Sequence, residues 1–462
     1  MRYILKEEYG LRGWDRIPYA LVDLKTKKVQ FINKEEFAAF SYCNGLVDFD
    51  WPFVDDRSRE VLQVLLKRGI AEPCEGDKRL TPEQEYRKYD CRYMHTAHWS
   101  ITGKCNYRCK HCYMWAPDAK YGELSHEECI RIIDSLAECG VYNISITGGE
   151  PMVRADFWEL IDRMCFHGLN ITAIYSNGAL VTDRFLDNLE KRNLKPVIDM
   201  SFDGVGWHDW LRGIDGAEKI VKDAFSRCRE RGFKTRSELC LHRLNKHTLR
   251  ESINYLASLG VSSVKVNPVS DAGAWMESHP DLTLSIEETF ELYLDYIPRF
   301  FEDKRPMAVQ LGGFFLGLPD DRIWRDLSRR YCGDERAEHI CVCGHARNNM
   351  YISPDSHVLP CLSLSGMEIQ NEFPKITEVG LKACLQDSAF MVLVTLPLGK
   401  FLVGEPDCQK CEYRYTCGGG CRAGALATTG SITGRDMAFC KMYKGGYIAR
   451  RDEILKNIGV LK

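Results

Sequence analysis

The distribution of cysteine constrains this chain more than any other feature. It has 21 cysteines among 462 residues, and they are unevenly spread. Cys105, Cys109 and Cys112 crowd into one short run, and a second dense group follows residue 330. The N-terminus, MRYILKEEYG, carries charge where a secretory signal would be apolar, and the longest apolar run, residues 391–403, is short and broken by Lys400. The expected place is therefore the cytoplasm, away from the membrane, where thiols stay reduced and a disulfide framework is not formed. Cys43, Cys74, Cys129, Cys139, Cys165, Cys228, Cys240 and Cys384 stand alone and read as small buried hydrophobes. Tight spacing in a reducing compartment reads as metal. The remaining composition, 45% apolar and 27% charged, is that of a globular protein, and a net charge of -3 argues against a general polyanion binder while leaving room for a local basic patch.

Length alone suggests about three domains. Residues 18–32 read as two β-rich runs around a Lys-Thr-Lys-Lys turn. Asn33 with Glu36 forms a capping box ahead of a helix, a second helix spans 56–68, and a short strand follows at 70–72. The order is that of a small winged-helix-like module over residues 1–90. The polar stretch 76–92 reads as a linker or solvated helix. Strand patterns then recur at 98–102, 142–147, 171–175, 196–201, 236–241 and 262–267, with amphipathic helices between them at 125–139, 156–167, 183–191, 217–231 and 248–259. Six β/α units in series predict an α/β fold with a parallel sheet, doubly wound or a partial barrel. In either form the chemistry sits at the carboxyl ends of the strands. Residues 270–330 read as connecting helix and loop.

Cys105-Asn-Tyr-Arg-Cys109-Lys-His-Cys112 follows the first of these strands. Structural zinc needs four protein ligands, and the loop offers only His111 or Tyr113 as a fourth. A four-iron cluster on three thiolates instead leaves one iron free for a ligand. This C-x3-C-x2-C run resembles the signature of the radical S-adenosylmethionine superfamily, and three further motifs agree. Gly148-Gly149-Glu150 resembles the motif that holds the methionine amino group. Ser176-Asn177 resembles the ribose-contacting motif, and Ser201-Phe-Asp203-Gly204 the Ser-x-Asp-Gly motif. His111 stands where many members stack an aromatic residue on adenine. The resemblance implies a partial (β/α)6 TIM-like barrel over residues 97–310, S-adenosyl-L-methionine and a [4Fe-4S] cluster.

Cys408-x2-Cys411-x5-Cys417-x3-Cys421, then Cys440, with Cys343 and Cys361 upstream, resembles the seven-cysteine SPASM domain, here over residues 330–462. The resemblance implies two auxiliary clusters, making three [4Fe-4S] clusters in all. Cys408, Cys411, Cys417 and Cys440 would hold the distal one; Cys343, Cys361 and Cys421 the proximal one. Cys341, Cys332 or an open position would complete the latter. Ser356 stands where the pattern has Gly, which suggests a less tight turn.

The front module resembles winged-helix domains that capture leader peptides as an added strand. Together these likenesses imply a cytoplasmic RiPP maturase, an oxidoreductase that forms a thioether or carbon–carbon cross-link in a ribosomal precursor peptide. A flavodoxin or ferredoxin-type reductant would supply its electrons. Two alternatives stand beside it: oxidation of a protein Ser or Cys to formylglycine, as in anaerobic sulfatase maturation, and a non-catalytic multi-cluster electron carrier. No catalytic base is evident in the sequence.

Overall fold

The computed structural model describes residues 1–270 and 272–461. The first seven strands form two small antiparallel-rich sheets. β1 (Arg2–Leu5) is flanked by β5 (Asn44–Asp48) and β6 (Ala71–Pro73). β2 (Tyr9–Asp15), β3 (Ile17–Asp23), β4 (Val29–Phe31) and β7 (Arg87–Arg92) make the other, in the order β4-β3-β2-β7. Helices α1 (Lys34–Tyr42) and α2 (Asp56–Lys67) pack beside them. Both caps follow from sequence: Asn33 and Glu36 exchange the two bonds of a capping box, and Asp55 accepts from the Ser58 N–H.

The segment 76–92 corrects the sequence reading. It is neither linker nor helix at its end, because β7 pairs in parallel with β2. The alternation buries Tyr89 and Cys91 and exposes Lys88 and Asp90, a strand pattern hidden within a charge-rich stretch. Trp14, Tyr89 and Tyr93 carry the front sheet into the main core, where Trp14 stacks on Tyr89 and donates its indole N–H to the Cys139 carbonyl at 3.2 Å. The buried Arg12 spans the same junction, donating to the Tyr142 hydroxyl and to the carbonyls of Glu83 and Glu85.

The main sheet begins with β8 (Thr96–Ser100), β9 (Asn143–Thr147), β10 (Asn170–Ser176), β11 (Val197–Ser201), β12 (Thr235–Leu241) and β13 (Ser263–Pro268), each parallel to the next. The crossover helices are α3 (His126–Glu138), α4 (Phe157–Phe166), α5 (Asp183–Lys191), α6 (His208–Arg212), α7 (Ala217–Glu230) and α8 (Leu249–Ser258). Then come α9 (Gly273–Ser278) and α10 (Ile286–Glu302), and three strands in the region expected to be loop: β14 (Ala308–Leu311), β15 (Phe315–Gly317) and β16 (Trp324–Asp326). Their apolar runs are only three or four residues long, too short to show a period. β14 extends the parallel set, and β17 (Asn349–Ile352), with β18 (Val358–Leu359) behind it, adds in parallel to β8 at the opposite end. The eleven-stranded sheet is open, with β16 and β18 at its edges. The C-terminal helix Tyr447–Asn457 packs on α10, so one core runs from Trp14 to Leu455.

Trp14→Ala removes the largest side chain from the front-to-barrel junction. It is expected to cost about 3–5 kcal/mol and to open the segment 76–92 to limited proteolysis. Unchanged cleavage kinetics would show that the junction does not hold the front sheets in place.

Candidate active site

The loop carrying Cys105, Cys109 and Cys112 leaves β8 and returns at α3, and its two ends are tied by one side chain. Arg154, from the turn after β9, donates to the Ile101 carbonyl at 2.9 Å and the Leu124 carbonyl at 3.1 Å. Its other face makes a bidentate pair with Asp156, whose carboxyl is held down at about 2 by that pair despite partial burial. Glu123 completes the base of the loop, accepting from the Thr102 hydroxyl and the Gly103 N–H.

Gly148 and Gly149 bring the end of β9 against this loop. A Cβ on Gly149 would run into the Lys104 carbonyl and lie 3.0 Å from the Cys105 Cβ, so bare backbone is required there. Glu150 lies behind the two glycines, fully buried. Its carboxylate accepts from the Asn177 N–H at 2.8 Å, the Ser176 hydroxyl at 3.0 Å and the Met152 N–H at 3.4 Å. Burial lifts its carboxyl to about 7, against those three bonds. The Asn177 side chain donates to Asn106 on the cysteine loop at 2.8 Å, which ties the end of β10 to the same unit.

Cys105, Cys109, His111, Cys112, Gly148, Gly149, Ser176, Asn177 and Ser201 line one cavity of about 370 Å³ at the carboxyl ends of the strands. Glu150 and Asp203 stand outside its wall. Asp203 is fully buried and committed elsewhere: Oδ2 takes the Arg212 Nε–H at 2.6 Å, and Oδ1 takes the Cys240 N–H at 3.3 Å. Burial would raise the Asp203 carboxyl, but the Arg212 guanidinium holds it well below the usual carboxylate range. His111 keeps a buried Nδ1 without a partner, and burial with the Arg212 charge presses its pKa down to about 3, so it faces the cavity neutral. Arg212, which no sequence signal marks, lines this cavity, and Cys240, expected as a core thiol, stands in the same wall at the end of β12.

A second cavity of about 780 Å³ fills the concave side of the sheet and shares Thr147, Tyr175, Asp199, Glu238, Lys265, Leu362 and Ser363 with the first. Its interior is charged. Asp199 pairs with Arg236 at 3.1 Å, and Glu238 with Lys265 at 3.7 Å. Cys343, Cys361 and Cys421 meet in this wall. Cys341 lies outside it, bridged to Pro397, and Cys332 is exposed with its thiol against Asp334. Cys408, Cys411, Cys417 and Cys440 converge on a separate cavity beside Phe439 and Tyr443. The Gly418-Gly419-Gly420 run lies wholly in the left-handed region, and side chains there would strike Tyr331, Phe401 and Asp436. Ser356 does not relax its turn: it keeps a φ of +74° and shares a hydrogen bond of 2.7 Å with Thr377, which offsets the strain.

The donor sets fit iron–sulfur ligation. Cys105 Sγ faces the Tyr107 N–H at 3.4 Å and the Asn177 amide at 3.9 Å, and Cys109 Sγ faces Arg212 at 3.7 Å. Such donors to sulfur stabilise a bound cluster. Burial pushes the Cys105, Cys361 and Cys417 thiols up to about 12, so metal must displace their protons on binding.

Residues 99–256 match the radical SAM superfamily. Over 360 residues the chain is 28% identical to the PqqA peptide cyclase of Granulibacter bethesdensis, covering 73% of this chain and 85% of that protein. It is 26% identical over 354 residues to the AdoMet-dependent heme synthase of Oleidesulfovibrio alaskensis, covering 72% and 84%. In structure it resembles Streptococcus suis SuiB bound to S-adenosylmethionine, with a TM-score of 0.63 and 14% identity over 95% of this chain and all of that one.

The Glu150 environment predicts a pH dependence. A folded-state value of about 7, above an unfolded value near 4.5, means stability is full below pH 4.5 and is lost as pH rises through 7. Without S-adenosylmethionine, the wild-type protein should lose about 2–3 kcal/mol relative to Glu150→Gln between pH 5 and pH 8. Urea denaturation of both proteins across that range measures it, and parallel curves would contradict it.

Proposed function

The chain is a radical S-adenosylmethionine enzyme, and from that premise we propose that it modifies a ribosomally made peptide, joining two of its residues by a thioether or carbon–carbon bond. The observation that carries the reading is the convergence of three free cysteines, a Gly-Gly turn, Ser176, Asn177 and Ser201 on one cavity that shares a wall with a larger, charged one. Cys105, Cys109 and Cys112 would hold the cluster that binds S-adenosylmethionine. Gly148 and Gly149 would take the methionine end, with Glu150 behind them holding Ser176 and Asn177 in place, Ser176, Asn177 and Ser201 along the nucleoside and the neutral His111 against adenine. The cluster and S-adenosylmethionine, when bound there, would supply radical chemistry able to activate an otherwise unreactive C–H bond. The larger cavity would hold the reacting residues away from water. Cys343, Cys361 and Cys421, and the four cysteines beside Phe439, would hold two auxiliary clusters that take up the electron released on bond formation.

In this reading residues 1–90 recognise the peptide, 97–310 carry the radical chemistry and 330–462 carry the auxiliary clusters. The likeness to SuiB, a protein also solved with its precursor peptide SuiA, covers too much of the chain to omit the first 90 residues. On that module the three-residue edge strand β4 and helix α2 border a groove of about 300 Å³ lined by Gln30, Phe40, Arg57, Glu60, Val64 and Arg68. A leader could add there as a strand. A tethered core peptide would then reach the barrel at raised effective concentration.

Anaerobic co-expression with the short peptides encoded beside the coding region tests the proposal. The expected product is a peptide lighter by two hydrogens that resists fragmentation between the joined residues. A product that reacts with hydrazide at a single Ser- or Cys-derived aldehyde would replace cross-linking by formylglycine formation. No change in any peptide would count against peptide modification.

A further inference from the structure

Among the groups around the cysteine loop, one has a fixed charge and touches a sulfur. Arg212 closes the short helix α6, and it is 8% exposed. Its Nε donates to Asp203 at 2.6 Å, and its Nη1 points at Cys109 Sγ at 3.7 Å. The backbone holds this arrangement independently of the side chains: the Lys110 N–H, next to Cys109, donates to the Leu211 carbonyl, next to Arg212, at 2.9 Å. Asp203 is fixed in turn by the Cys240 N–H, and its own N–H donates to His208 Nδ1 at 3.1 Å. A guanidinium carries a fixed charge, and Asp203 answers it at 2.6 Å.

The Arg212 guanidinium thus bridges the Asp203 carboxylate and Cys109 Sγ. A hydrogen bond and a positive charge at a ligating sulfur favour the reduced, more negative cluster. We propose that Arg212 sets the potential at which the cluster on Cys105, Cys109 and Cys112 accepts its electron, and that Asp203 positions Arg212 and tempers its charge. This rests on the reading that those three cysteines hold the cluster that binds S-adenosylmethionine. It assigns Asp203 to the sulfur side of the cavity, where the Ser-x-Asp-Gly resemblance had placed it among the cofactor contacts.

The test is a potentiometric titration of the anaerobically reconstituted full-length protein, following the electron paramagnetic resonance signal that shifts when S-adenosylmethionine is added. That signal, in the unaltered protein, belongs to the cluster in question; its absence there would overturn the three-cysteine reading and not the role of Arg212. Arg212→Gln should make reduction about tenfold less favourable, a fall of about 59 mV for a one-electron couple. Arg212→Lys, which keeps the charge but loses the planar fork, should fall between Gln and wild type. Asp203→Asn should move the potential the opposite way, because the counter-charge is gone while the cation stays. A merely structural pair would not give shifts of opposite sign. Equal potentials in the assembled variants would overturn the proposal. So would shifts of the same sign, or loss of this cluster from every variant with the other iron retained.

Discussion

The geometry of the candidate site depends on how one buried guanidinium closes a loop. The segment between β8 and α3 must leave the sheet, present three cysteines and return, and ordering such a loop costs entropy that grows with its length. Arg154 binds the carbonyls at both ends of the loop and is itself locked by Asp156. It also lies four residues after Glu150, at the end of the turn Pro151–Val153, so the cysteine loop and the Gly-Gly-Glu turn facing it are one unit. Asn177, through Asn106, adds the end of β10. Three strand ends are thereby fixed relative to three sulfurs before any cofactor is considered.

Asp199, Asp203 and Arg212 are buried, and a buried charge is expensive unless it is answered. The main core is aliphatic and aromatic on the helix side of the sheet, whereas the concave side carries Asp199 with Arg236, Glu238 with Lys265, and Asp203 with Arg212. The pairs are matched across neighbouring strands: Asp199 lies in register with Arg236, and Glu238 with Lys265. A chain selected for stability alone would fill this space with Val, Ile and Leu, as closed barrels do. Leaving it hollow and charged presents a bound molecule with charge pairs whose register the strands fix.

Much of this was legible in the sequence, and the failures have physical causes. The six central strands announced themselves by apolar runs between amphipathic helices, and the crowding of motifs at strand ends marked the cavity wall. β7 was hidden because a half-buried edge strand can alternate Tyr and Cys with Lys and Asp inside a stretch that composition alone calls polar. β14 to β16 were too short for periodicity to speak. The motif that names Asp203 does not say where its carboxylate points, which is toward Arg212 and the Cys240 N–H. Arg212 and Cys240 carry no local signal; only folding brings residues from α6 and β12 to the cysteine loop.

The central claim is that the first cysteine cluster performs reductive cleavage of S-adenosylmethionine. The direct measurement is the formation of 5′-deoxyadenosine and methionine by the reconstituted, dithionite-reduced protein, compared with Cys109→Ala reconstituted in the same way. The account predicts both products from the wild-type protein and neither from the variant, with the iron held by the C-terminal cysteines retained. Equal product from both proteins, or none from a wild-type protein carrying its full iron, would contradict it.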